Sequence, residues 1–512
     1  MSRFSVVEVI YSSGEKIRTH AESGGCVVGT NEKALDEIIA KLERDVAQRP
    51  RDIPLRLQLT LSYMKKGRRE DAKKSLEEIL AMDKRSVDAL YYKGILFADE
   101  GDLDTAQESF EKAVQINPKH GPSHYFLGKI LALRGNIEGA LKESEAAVAH
   151  SPGNPLAHAQ LGEIYIAVGR PSDSEKQWQR VLELDPSNLQ ALHNLGAIYT
   201  DMRKYQEAIS HLSRALRLGS ENPGLHFNLG LCYLATGDNA KAITYLEKAH
   251  ELEPDNVATL NTLGEAYATS NELDKALGTW KKALELRPDS IFVLYNLGLG
   301  LFQKGEAEEA KAMWQKCIEI DPTYIPAYKN YATACTMAGD LEGAISKWLE
   351  ANRITPALHE PYLALGDLYF RNGQYDRAED YVLRLMEKLE SAQGVPNAPD
   401  KEFKASVELL YGAILLADGQ SGKGVEHWRR AMELDPNFAL ANAAFIGKTL
   451  WPGLIEAAQN AAKTEDQKKA ARLVGSLVSE DVAPQPPKPP APEKDGAEKK
   501  GGFSWFSRGK KK

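Results

Sequence analysis

Residues 182–199 read LELDPSNLQALHNLGAIY, and nearly the same phrase returns at residues 284–301 as LELRPDSIFVLYNLGLGL. The offset is 102 residues, three steps of 34. A chain that repeats at a fixed step is built from stacked copies of one small unit. Prolines mark the step. Pro118, Pro152, Pro186, Pro254, Pro288, Pro322 and Pro356 fall on one 34-residue comb, with Ser220 on the tooth that lacks a proline. Backwards the comb lands on Lys84 and Pro50. Forwards it breaks after Pro356, and the next match, Pro436, is two steps plus twelve residues on. A turn-rich insertion, SAQGVPNAPDKE (391–402), has that length. The spacing predicts eleven units over residues 53–438.

Each unit reads as two antiparallel helices. In Leu189–Asn222, Leu192, Leu195, Gly196 and Tyr199 share one helical face, and Ala208, Leu212 and Ala215 form a second stripe after the bend DMRK. A glycine recurs in the first helix (Gly162, Gly196, Gly230, Gly264, Gly298) and an alanine in the second (Ala208, Ala242, Ala276, Ala310). Glycine inside a helix costs about 1 kcal/mol relative to alanine. Its regular retention predicts a close approach between the two helices. The closing proline cannot continue the second helix.

The 34-residue step, the NLG…Y first helix, the spaced alanines of the second and the closing DP resemble the tetratricopeptide repeat family. The likeness covers about three quarters of the chain. It implies an all-α fold, a right-handed superhelical solenoid of about eleven helical hairpins. The first copy is degenerate, with Thr60 for glycine and Lys84 for proline, and the last has Gly424 for alanine. Atypical end copies are expected of caps.

Outside the repeats, residues 1–30 contain an alternating run with a Ser-Ser-Gly turn, read as a short hairpin. Residues 31–52 read as a capping helix, 439–482 as closing helices and 483–500 as a spacer with six prolines in 484–492. The tail, 501–512, combines Phe503, Trp505 and Phe506 with Arg508, Lys510, Lys511 and Lys512. Aromatic and basic residues together suit contact with an anionic membrane surface or with a protein.

Hydrophobic content is 43% and the net charge is −8. The last fourteen residues contribute six positive charges and no negative one, so the remainder carries −14. A body that acidic repels phosphate backbones, which argues against nucleic acid. No apolar run approaches the roughly 20 residues of a transmembrane helix, and the N-terminus lacks the pattern of a signal peptide. The expectation is a cytoplasmic protein, peripheral at a membrane if the tail engages one. Four cysteines without metal-ligand spacing (Cys26, Cys232, Cys317 and Cys335) are expected to be reduced, the last three buried.

Catalytic patterns are missing: no glycine-rich phosphate loop, nucleophile elbow or Cys-x-x-Cys occurs. His124, His158 and His226 occupy the fourth place of their repeats and His193 the fifth, which are packing or rim positions, and no carboxylate accompanies them at a fixed spacing. The expectation is a non-catalytic scaffold or adaptor with no cofactor and no metal; the alternative is a recruitment or assembly factor acting through the tail. The family resemblance also implies that first helices line a concave groove. Two places before the helix glycine stand Asn194, Asn228, Asn296 and Asn330, with Thr262 interrupting and Asn261 beside it. Such a ladder can donate to and accept from the backbone of an extended segment. Phe227, Leu231, Phe292, Tyr295, Leu299 and Phe302 are expected to face the same cavity, so that residues 189–358 hold an extended or helical segment of a partner protein. The place just after the glycine lacks the asparagine of chaperone-binding members, reading Lys129, Glu163, Ala197, Leu231, Glu265 and Leu299. No carboxylate-clamp binding of a chaperone tail is expected.

Overall fold

The computed structural model describes residues 32–391 and 400–435, and every regular element among them is an α-helix. A single helix, α1 (Glu32–Gln48), precedes eleven pairs. The pairs are α2/α3 (Ile53–Lys66, Arg69–Met82), α4/α5 (Val87–Glu100, Leu103–Ile116), α6/α7 (Gly121–Leu133, Ile137–His150) and α8/α9 (Pro155–Ala167, Pro171–Leu184). Next come α10/α11 (Leu189–Asp201, Tyr205–Arg217), α12/α13 (Pro223–Thr236, Asn239–Leu252), α14/α15 (Val257–Thr269, Leu273–Leu286) and α16/α17 (Ile291–Lys304, Ala307–Ile320). The last are α18/α19 (Ile325–Met337, Leu341–Ile354), α20/α21 (Glu360–Arg371, Tyr375–Ser391) and α22/α23 (Lys401–Ala417, Ser421–Leu434). The structure divides into two compact units, residues 1–296 and 297–512. The hairpin expected in 1–30, the closing helices of 439–482, the spacer and the tail lie outside the described residues.

Local chemistry sets the helix ends. Side chains of Asn188, Asn222 and Asn256 cap first helices by accepting from Ala191, Gly224 and Thr259 backbone N–H groups at 2.9, 2.8 and 3.0 Å. The bend inside a hairpin needs a left-handed residue. Glycine supplies it at Gly101 and Gly237, both with φ of 84°, while Arg203 (φ 59°) and Asn271 (φ 64°) hold the same place without glycine's freedom.

In most repeats the recurring glycine faces a bulky residue sixteen places on, while Gly128 faces the small Ser144. A Cβ added at Gly196 would lie 2.3 Å from Leu212 Cδ2, and one at Gly264 would lie 2.4 Å from Trp280 Nε1. Neither distance is tolerable, so the spacing between helices depends on the missing side chain. In the first repeat Thr60 replaces glycine and is accommodated by a small neighbour, its Oγ1 lying 2.8 Å from Ser75 Oγ. Leu192, Leu195, Leu212, Leu225 and Leu229 are fully buried in one cluster of the first unit, each contributing about 1.5–3 kcal/mol of burial.

Around the insertion, α21 and α22 both run to 17 residues, where the preceding repeats use 12–14. Ser391, Lys401 and Glu402, read as insertion, are therefore helical. Residues 392–399 lie outside the described set. From α1 to α15 each helix packs on its sequence neighbour, as from α17 to α23, and within the first unit the first helices also touch one another (α6 with α8, α10 with α12, α12 with α14). The same holds for α20 and α22 in the second unit. That contact lays the first helices side by side.

Candidate groove on the first helices

In the first unit the helix glycine, leucine and tyrosine turn toward the second helix, which leaves the asparagine on the flank shared with the neighbouring first helix. Asn194, Asn228, Asn261 and Asn296 are all half-buried there. Their fates differ. Asn194 and Asn228 make no side-chain hydrogen bond among the described residues. Asn296 Nδ2 donates to Glu265 Oε1 (2.6 Å) and lies 3.1 Å from Asn261 Oδ1, and Asn261 Nδ2 donates to the same Glu265 oxygen at 3.0 Å.

The residue 31 places earlier explains this. For Asn296 it is Glu265, a carboxylate that recruits the amide. For Asn228 it is Ala197, which has nothing to offer. For Asn194 it is Glu163, but Gln190 Nε2 already donates to Glu163 Oε1 at 2.8 Å. Two rungs are thus free and two are engaged. Phe227 and Leu231, beside Asn228, are half-buried, and Phe292 is 61% exposed. Tyr295 is half-buried on α16.

The remaining predicted groove residues belong to the second unit. Leu299 is half-buried. Phe302 lies against Trp314 within its own hairpin, ring centroids 5.8 Å apart. Asn330, expected as an open rung, is only 7% exposed and its Nδ2 has no hydrogen-bond partner. A cavity of about 590 Å³ opens between α18, α20 and α22, lined by Thr333, Met337, Leu363, Asp367, Leu409 and Ala413 among others. Its charges are internally paired, Lys329 with Glu360 at 2.9 Å and Arg371 with Asp367 at 2.8 Å. The sequence reading of the place just after the helix glycine stopped at Leu299, so Thr333 and Asp367, which line this cavity, were not singled out. The tail residues Phe503, Trp505, Phe506, Arg508, Lys510, Lys511 and Lys512 lie outside the described residues.

Burial pushes the Glu163 carboxyl from the ordinary 4.5 up to about 7, with Lys129 and the Gln190 amide pulling it back. Burial also raises Glu265, against the two asparagine donors. A carboxyl with a raised folded pKa favours the fold below its unfolded value and loses that contribution as pH rises through the folded one. For Glu163 the window runs from about 4.5 to about 7. Glu163→Gln is therefore expected to leave stability at pH 4.5 unchanged and to raise it at pH 8. Denaturant titrations at the two pH values check this, and an unaltered pH dependence would contradict it.

His124 and His158 are packing groups with partners, whereas His193 Nε2 and His226 Nδ1 are buried without a hydrogen-bond partner. His124 Nδ1 lies 2.7 Å from Glu143 Oε2, and His158 Nδ1 lies 2.8 Å from Gln177 Oε1, both partners nineteen residues on. The same offset brings a carboxylate to His124 and an amide to His158, so no carboxylate accompanies them at a fixed spacing, and the His124 partner was not singled out in the sequence. It sits on the other helix of the hairpin, which a search within one helix does not reach. Among the described residues no group of three or more His, Cys, Asp or Glu is placed to hold a metal ion. Cys232, Cys317 and Cys335 are buried, and none forms a disulfide among the described residues. No described helix is long and apolar enough to cross a membrane.

Sequence profiles of the tetratricopeptide repeat match residues 57–155, 131–198, 187–289, 291–324 and 359–387, more than half of the chain. The chain belongs to the tetratricopeptide repeat family. Among solved structures, YrrB, a tetratricopeptide protein with an unusual peptide-binding site, is 26% identical over 36% of this chain and 95% of that one, with a TM-score of 0.32. MamA from Desulfovibrio magneticus RS-1 is 25% identical over 32% and 94%, with a TM-score of 0.30. A tetratricopeptide protein from Parabacteroides merdae is 17% identical over 49% and 99%, with a TM-score of 0.38. No curated protein matches the chain. The fold is that of a protein–protein interaction scaffold, a class generally without catalysis.

Proposed function

We propose that this protein is a non-catalytic adaptor that holds an extended segment of a partner protein along the first helices of its first unit. The observation that carries the reading is the pair of unengaged amides, Asn194 and Asn228, one repeat apart and flanked by Phe227 and Leu231. A half-buried amide without an internal partner is available to a ligand backbone as donor and acceptor. Packed helices lie about 10 Å apart, and an extended chain rises about 3.3 Å per residue. Successive rungs then meet every third residue of the segment. The backbone is held irrespective of side chains, and apolar anchors on Phe227 and Leu231 add affinity.

Position-specific cross-linking tests this. A photo-reactive residue at Phe227 is expected to capture the partner, while one at exposed Lys248, on the second helix of the same hairpin, is expected to capture none. Equal yields at the two positions would contradict the groove.

A further inference from the structure

The three-repeat period that opened the sequence allows two sites of one chain to be compared atom for atom in register. Glu163 and Glu265 occupy the same place one period of 102 residues apart. Glu163 meets two groups of this chain that favour its charge and offset part of its burial: Gln190 donates to it at 2.8 Å and the charge of Lys129 acts on it. One period on, Gln190 becomes Phe292 and Lys129 becomes Leu231. Both groups that compensate the first carboxylate are replaced by apolar side chains at the second.

Glu265 is not thereby abandoned. Asn261 and Asn296 both donate to its Oε1, at 3.0 and 2.6 Å. The Asn261 carbonyl in turn accepts from Trp280 Nε1 at 3.1 Å, which anchors that part of α14 to the core. Amides fix the carboxylate's position but supply no positive charge, and no Lys or Arg lies within ion-pair distance of it among the described residues. A half-buried anion without a cation costs free energy. The register place that Gln190 fills beside Glu163 is held here by Phe292, a phenylalanine 61% exposed on a helix whose other apolar residues are buried or half-buried.

We propose that Glu265 is the specificity residue of the groove and receives the lysine or arginine side chain of a bound protein segment, with Phe292 covering the face of that cation. This rests on the groove reading above. The missing charge is what the partner brings: its cation pairs with the free side of Glu265, and the phenylalanine face attracts the same cation. The segment is therefore basic at one position and apolar where it meets Phe227 and Leu231.

The test uses the full chain and a cellulose-bound library of decapeptides in which one position is arginine, lysine or uncharged citrulline within an apolar background. The wild type is expected to prefer arginine or lysine over citrulline by about tenfold, as for a charge-assisted hydrogen bond. Glu265→Gln retains the shape and the acceptor for both asparagines, and it should bind all three alike. Glu163→Gln should keep the wild-type preference. Phe292→Ala, at an exposed position that leaves folding untouched, should weaken arginine peptides several-fold while citrulline peptides stay as they were. A wild type indifferent to charge, or a preference that survives Glu265→Gln, overturns the proposal and leaves the groove standing. If no peptide binds at all, the groove reading falls with it.

Discussion

Replacing Trp280 by alanine is expected to destabilise the first unit by about 3–5 kcal/mol, the usual cost of removing a buried tryptophan. Trp280 is 3% exposed and lies across Gly264, whose missing side chain makes room for the indole. The indole also donates from Nε1 to the Asn261 carbonyl at 3.1 Å. Losing it therefore loosens the groove as well as the core. Trp280→Phe separates the two effects: it keeps most of the apolar burial and gives up the hydrogen bond, worth about 1 kcal/mol. Because each repeat touches only its neighbours, urea unfolding of Trp280→Ala should show an early transition confined to part of the chain. A single transition at the wild-type midpoint would contradict this account of how the hairpin is spaced.

The hairpins were readable from the sequence because their causes are local. The first-helix glycine and the residue it faces sixteen places on are separated by less than one repeat, and the 34-residue comb repeats that relation in most units. The bends at Arg203 and Asn271 were also within reach, since they stand where neighbouring repeats carry glycine. The candidate groove was readable only in part. Periodicity places Asn194, Asn228 and Asn296 on the same flank, but their availability depends on what side chain arrives from the repeat before. Glu265 draws Asn296 in, Gln190 spares Asn194, and Ala197 leaves Asn228 alone. That information was present at an offset of 31 residues, longer than any helix and visible only across neighbouring repeats. Asn330 shows the limit from the other side: it matches the ladder in sequence, yet it is buried with an unpartnered amide. The pairing of His124 with Glu143 was missed for a related reason, since those groups meet across the hairpin.

The same comparison changes which substitutions are informative. Asn296→Ala would strand Glu265, and Asn330→Ala would alter a buried site, so either could reduce binding by disturbing the protein itself. Asn194 and Asn228 carry no such ambiguity. Each amide contributes a net hydrogen bond of about 1 kcal/mol to a bound backbone. Together they amount to about 2 kcal/mol, or roughly thirtyfold in affinity. The decisive measurement is partner capture by the full chain, by Asn194→Ala/Asn228→Ala, and by a chain ending at Glu493 that lacks the basic aromatic tail, with circular dichroism confirming equal helix content. The groove account predicts roughly thirtyfold weaker capture by the double variant, with capture retained when the tail is removed. Undiminished capture by the double variant, with capture lost on removing the tail, would contradict it.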